Sequence, residues 1–110
     1  MSGVVFDAGA LIAFERRDHR VIAVVAQARK RGEHITIPAG VVGQVWRDGR
    51  SQVQLARLLG APTVDIEPLT DFAARAAGQL CGVRGTRDVI DATVVICAQR
   101  RRAAVLTSDP

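Results

Sequence analysis

The sequence predicts an α/β fold in which helices cover both faces of a central parallel sheet. Short β-branched runs alternate with segments of helical periodicity along the 110 residues, and this alternation is typical of parallel sheets flanked by helices. The first, second and last runs are almost continuously apolar, which favours central positions in such a sheet. Length and 48% hydrophobic content fit a single domain spanning 1–110.

The first half of the chain predicts two strands, each followed by helical segments. Asp18 is a candidate N-cap for the second helix, and Gly32 is placed to end it. Pro38 closes the second strand, and helical spacing then returns at 39–49, which the segment 50–60 either extends or follows. The other predicted elements are strands at 4–6 and 34–38 and helices over ALIAFERR and 21–31.

The second half predicts two more strands and two more helices. In TVDIEP, the alternation places Val64 and Ile66 on the inward face of a half-buried strand. Thr70 is a candidate cap for the Ala-rich helix DFAARAAGQLCGV. The longest helical candidate covers 85–102, and AAVLTSD at 103–109 predicts the last strand.

Composition restricts the function classes without choosing one. Fifteen basic and eleven acidic residues give a net charge of +4, which suggests a polyanionic partner or simply codon bias. Cys81 and Cys97 have no metal-ligand or redox spacing and are predicted to be small core residues. No signal peptide is recognisable, and no apolar run reaches the roughly 18 residues of a membrane helix. We therefore expect a cytoplasmic protein without a membrane partner.

Acidic residues stand where ligands bind in parallel sheets. Asp7 follows the first strand and Asp109 follows the last, so both meet at one edge if those strands are neighbours. Asp88 and Asp91 share one face of the helix before the last strand. A hard cation such as Mg²⁺ or Mn²⁺ would offset the repulsion between such carboxylates. Helix capping by Asp88 and ordinary turn chemistry are the alternative interpretations.

Four segments, VVFDAGALIAFE, ITIPAGVVGQVWR, DVIDATVVICAQ and AAVLTSDP, together resemble the PIN domain and, more narrowly, the VapC-type toxin nucleases of toxin-antitoxin systems. The resemblance implies a three-layer α/β/α sandwich and metal-dependent RNA cleavage. It also implies a homodimer, with a cognate antitoxin as partner. The family's acids map onto Asp7, Asp91 and Asp109, with Thr107 before the last of them. Relatives continue beyond this point, so the C-terminus is expected to be truncated.

Two positions depart from the family pattern. Gln44 stands where the family commonly has Glu, and Gly9 stands where it often has a polar residue. We predict that Asp7, Asp91 and Asp109 hold the metal, with Asp88 as an outer ligand and Gln44 orienting water or substrate. The alternative is a PIN-fold protein with weak or no catalysis that binds RNA or an antitoxin.

Other interpretations have less support. A phosphatase of the haloacid dehalogenase type needs a second Asp where Gly9 stands, and a receiver domain needs a Lys after the last strand. The arginines at 100–102 either complement the helix dipole or contact phosphate. Trp46 is predicted to be a core or interface anchor rather than a base-stacking residue.

Overall fold

The protein is described by a computed structural model over residues 3–107. Four parallel strands form one sheet in the order β3-β2-β1-β4. The first strand therefore lies between the second and the last, so the neighbouring position on which the predicted site depends is confirmed. The strands are β1 (Val4–Phe6), β2 (Ile35–Pro38), β3 (Val64–Glu67) and β4 (Ala104–Leu106).

In the described part of the chain, six helices connect and cover the strands, and their ends follow local sequence signals. The Asp18 side chain accepts hydrogen bonds from the backbone N–H groups of Arg20 and Val21, and Gly32 ends the same helix in the left-handed region with φ +67°. Thr70 caps the fifth helix as predicted. The helices are α1 (Ala8–Glu15), α2 (His19–Arg31), α3 (Ala39–Val45), α4 (Val53–Leu59), α5 (Asp71–Arg84) and α6 (Val89–Arg101).

The chain winds in one direction from β1 through β2 to β3 and then returns past β1 to β4. Because crossovers between parallel strands are right-handed, the two directions place their helices on opposite faces of the sheet. Helix α1 contacts α2, α3 and α4, whereas α5 contacts α6. This gives the predicted α/β/α layering. The winding direction reverses between β1 and β4, and ligands bind at such switch points in open parallel sheets.

The core forms mainly between the two inner strands and the helices that cover them. A second, smaller cluster joins α5 to α6 through Ala77, Cys81 and Ala92. Cys81 and Cys97 are buried free thiols, so their prediction as core residues is confirmed. The largest side chains that are completely buried in the main cluster are Val5, Phe6, Leu11, Ile35, Ile37, Val41 and Leu55.

The helical segment predicted over 39–60 is two helices with a loop between them. Helix α3 ends where Trp46 adopts an extended conformation, with ψ 131°. The Gln52 carboxamide supports the loop, because its oxygen accepts from the N–H groups of Arg47 at 2.7 Å and Asp48 at 2.9 Å. Its nitrogen donates to the Val45 carbonyl at 2.9 Å. The second segment therefore follows the first rather than extending it.

Two predictions about strand burial are wrong. Ile66 is 39% exposed instead of facing inward, although Val64 on the same strand is buried. Strand β4 is an edge strand among the described residues rather than a central one, and Val105 is exposed. In both cases the strand has one hydrogen-bonded neighbour within residues 3–107, so fewer side chains cover it. Within residues 3–107 no helix has the length and apolar character required to cross a bilayer.

Candidate active site

A cleft of about 190 Å³ opens at the carboxyl edge of the sheet, beside the point where the winding reverses. Its walls come from the start of α1, the middle of α3 and the start of α6. Three elements far apart in sequence therefore supply one site. The lining residues are Asp7, Ala8, Gly9, Val41, Gln44, Asp88, Ile90, Asp91 and Val94.

Asp7 connects the sheet to the first helix. Its backbone N–H donates to the Leu106 carbonyl at 3.3 Å, which continues the pairing of β1 with β4. Its Oδ1 accepts from the Ala10 N–H at 2.8 Å and so caps α1. Within residues 3–107 its other carboxylate oxygen has no hydrogen bond or ion pair, which leaves it available to a ligand. Sequence reasoning missed the cap, although an Asp directly before helical spacing is a signal for it.

Asp88 and Asp91 divide two roles at the start of α6. Asp88 is the N-cap, because its Oδ1 accepts from the Asp91 N–H at 2.9 Å. The capping interpretation of Asp88 is therefore confirmed. Asp91 is exposed, and its carboxylate makes no hydrogen bond or ion pair with any residue of the described range. The cap orders the turn that presents the Asp91 carboxylate to the cleft.

Gln44 reaches the cleft from α3, where a close approach between helices sets its position. A Cβ atom at Gly40 would overlap Cδ1 of Ile90. Glycine at this position therefore lets the start of α3 pack directly against the start of α6. Gln44 follows one turn later, is exposed, and lines the same cleft as Asp91. Its amide supplies an oxygen ligand without a charge.

The cleft is negatively charged. No Lys, Arg or His is among its lining residues, and none of its three carboxylates forms a salt bridge within residues 3–107. The N-termini of α1 and α6 offset part of this charge, since the N-terminal end of a helix carries a partial positive charge. In the described part of the chain, no group of three His, Cys, Asp or Glu side chains is close enough to hold a metal ion. Asp109, the third predicted ligand, lies outside the described residues.

A second charged cluster, at the end of β3, was not predicted. Arg100 and Arg101 both donate to Oε1 of Glu67, and the Nε of Arg101 lies 3.0 Å from that oxygen. Phe72 lines a surface cavity beside this group and is 83% exposed. The signal for Phe72 in the sequence was that it is a single aromatic residue in an Ala-rich helix. The pairing with Glu67 had no local signal, because 33 residues separate Glu67 from Arg100.

The sheet order, the layers and the acidic cleft at the switch point define a PIN-like α/β fold. Solved structures agree with this assignment. The fold is similar to that of VapC20 from Mycobacterium tuberculosis, a sarcin-ricin loop cleaving toxin, with a TM-score of 0.69 and 18% sequence identity. The match covers 97% of this chain and 90% of that one. Protein-family models give no match to the sequence, and no curated protein matches it with statistical significance.

Proposed function

We propose that this protein is a metal-dependent endoribonuclease of the VapC kind. The observation that supports this most is the meeting of Asp7, Gln44 and Asp91 in one cleft. They come from three separate elements, at the switch point of a fold that is similar to that of a sarcin-ricin loop cleaving toxin. In the proposal, Asp7, Asp91 and Asp109 hold Mg²⁺ or Mn²⁺, and RNA is the substrate.

The donor set of the cleft fits a hard divalent cation. Among residues 3–107, the polar side chains that line it are carboxylates and one carboxamide, without a His or Cys. Carboxylate and carbonyl oxygens are the ligands that Mg²⁺ and Mn²⁺ prefer. The second oxygen of Asp7 and both oxygens of Asp91 have no partner within residues 3–107, so they are available for coordination. When bound, such an ion would supply the positive charge that activates water and stabilises the leaving oxygen of a phosphodiester.

The residues of the chain then act mainly by holding and orienting. Asp7 is fixed by its cap to α1, and Asp91 is fixed by the Asp88 cap on α6. The Gln44 carboxamide both donates and accepts hydrogen bonds, so it can orient a water molecule or a phosphate oxygen. Asp88 uses one carboxylate oxygen for its cap, which leaves the second as an outer ligand.

The partners follow the same analogy. VapC20 is a toxin, and we extend to this chain the expectation of a cognate antitoxin, a homodimer and a cytoplasmic location. The net charge of +4 suits a polyanionic substrate.

The direct test is to incubate the purified protein with mixed single-stranded RNA in Mn²⁺, in Mg²⁺ and in chelator, beside an Asp7→Asn variant. Asn caps helices about as well as Asp, so the variant should fold normally. We expect cleavage in metal, none in chelator and none with the variant. Equal degradation by both proteins would indicate a contaminating nuclease. No cleavage by a folded wild-type protein would contradict the proposal.

Gln44 supports a second candidate, a PIN-fold protein that binds RNA or an antitoxin with weak or no catalysis. A neutral amide in the cleft lowers the charge available to a cation. Gln44→Glu separates the two candidates. A gain of metal-dependent cleavage would identify an attenuated nuclease, whereas unchanged inactivity with intact RNA binding would favour the binding protein. Gln54→Glu, on α4 and away from the cleft, is the matched control.

A further inference from the structure

We propose that single-stranded RNA extends from the cleft along α6 to a second contact surface, where a base stacks on Phe72 and the backbone binds Arg100 and Arg101. The choice of RNA as ligand rests on the proposed function. The contact surface consists of Phe72, Arg100, Arg101 and the adjacent Thr70, which line one cavity of about 400 Å³.

Phe72 is placed to bind rather than to stabilise the fold. It lies in the first turn of α5 and is 83% exposed, so its ring buries little apolar surface. Proteins that bind single strands combine such aromatic faces with a positively charged groove, because every base has a face that stacks. Here the groove is supplied by two arginines on α6.

The arginines retain capacity for phosphate although they contact Glu67. Both guanidinium groups share a single oxygen, Oε1, of that carboxylate. Each guanidinium has five N–H donors, so most donors remain available to a ligand. The Arg100 side chain is 61% exposed, whereas the Glu67 side chain is only 17% exposed. The cluster therefore presents a net positive charge to solvent.

The contact surface lies at the same edge of the sheet as the cleft. Val5 pairs with Thr36, and Pro38 pairs with Glu67, so continuing the register places Asp7 and Glu67 at one level. Two strand spacings of about 4.8 Å separate those two chain positions across the sheet. Along α6, the nine residues from Asp91 to Arg100 span about 13 Å. A few nucleotides bridge this distance.

RNA binding without cleavage tests the stacking contact. The intact wild-type protein, in chelator, is titrated into a fluorescent oligouridylate and followed by anisotropy. We expect Phe72→Ala to weaken binding about 5- to 100-fold, the usual range for one stacked base. The control is Val83→Ala, a change at an equally exposed apolar residue, 86% exposed, at the other end of α5. An oligomer of the same length without bases should bind wild type and Phe72→Ala equally.

The charge contact is tested by salt dependence. Arg100→Ala leaves Arg101 on Glu67, and we expect it to reduce the slope of log affinity against log salt by about 0.7 per lost phosphate contact. Arg84→Ala, an exposed change at the end of α5, is the control and should keep the wild-type slope. Wild-type affinity and slope in both test variants, or no RNA binding at all, would overturn the proposal.

The same variants separate this proposal from its rivals. If Phe72→Ala alters only the sedimentation coefficient and not RNA affinity, the surface binds a second copy of the chain and the proposal is wrong. If Phe72→Ala weakens RNA binding but the wild type cleaves nothing in metal, the contact surface stands and the nuclease proposal fails. If the wild type cleaves RNA in metal but Phe72→Ala leaves RNA affinity unchanged, the nuclease proposal stands and the contact surface fails.

Discussion

Two carboxylates at the same edge of the sheet have opposite surroundings. Glu67, at the end of β3, is contacted by two guanidinium groups and is largely covered. Asp7, at the end of β1, has a side chain that accepts only a backbone N–H from α1 within residues 3–107. The protein neutralises the charge of Glu67 with its own side chains, whereas within residues 3–107 no basic side chain pairs with Asp7. The ion pairs at the end of β3 thus stabilise the fold, whereas the carboxylate at the end of β1 is available to a cation.

The largest effect that tests this contrast is expected for Asp91→Asn. Cleavage should fall below about 1% of wild type, equivalent to roughly 3 kcal/mol of transition-state stabilisation, because Asp91 is a ligand of the activating ion in the proposed mechanism. The midpoint temperature of thermal unfolding in chelator should be unchanged or slightly raised, since one of the several negative charges in the cleft is removed. A clear loss of stability would instead show that Asp91, like Glu67, stabilises the fold.

Metal is expected to bind at the cleft and not at the end of β3, and binding to the folded protein should raise its stability. At a Mn²⁺ concentration 100 times its Kd, the free energy of unfolding should rise by about 2.7 kcal/mol. Thermal unfolding with and without Mn²⁺ measures this shift. Asp7→Asn should abolish most of it. The control Asp71→Asn, which alters an exposed acid paired with Arg75 on α5, should preserve it.

Glu67→Gln should lower stability by about 1–2 kcal/mol in metal and in chelator alike, because charge-assisted hydrogen bonds to a largely covered carboxylate are weakened. Denaturant unfolding measures the change. For comparison, Asp71→Asn removes a largely exposed ion pair with Arg75 and should cost only about 0.3–0.5 kcal/mol. Equal effects of the two substitutions would show that the Glu67 cluster does not stabilise the fold.

The smallest expected effect concerns pH. Burial, with the neighbouring Glu67 carboxylate, raises the pKa of the Cys97 thiol from 9.0 to about 11. Because the pKa is higher in the folded state, the contribution of Cys97 to the free energy of unfolding is constant below about pH 9. This contribution is lost as pH rises from 9 to 11. Unfolding measured across this range should show the decrease, and Cys97→Ser should remove it. A disulfide-exchange reagent should react with neither buried cysteine in the native protein at pH 8.

Local signals in the sequence account for most of the fold. The caps at Asp18, Thr70 and Asp88 and the stop at Gly32 depend only on nearby backbone groups, so they could be predicted. The position of β4 at an edge could not, because strand order depends on pairings between distant segments. The break after Val45 was also ambiguous, since it depends on how Gln52 folds back.

The candidate site shows the same division. Asp7 could be proposed from its place after a strand and Asp91 from its place at the start of a helix, whereas Gln44 was proposed from the family resemblance. The structure brings all three into one cleft. The cluster of Glu67 with Arg100 and Arg101 could not be predicted, because it joins residues whose separation in sequence carries no pattern. Asp109 as third ligand stays a prediction.

The pairing of β1 with β4 has a consequence during protein synthesis. Asp7 leaves the ribosome early, whereas Asp91 and β4, one of the two strands that pair with β1, are made near the end of the described chain. At about 5–20 residues per second, the 84 residues that separate Asp7 from Asp91 take roughly 4–17 s to translate. During that time the nascent chain has no complete cleft. A protein that cuts RNA would thus acquire its activity only after most of it had been translated.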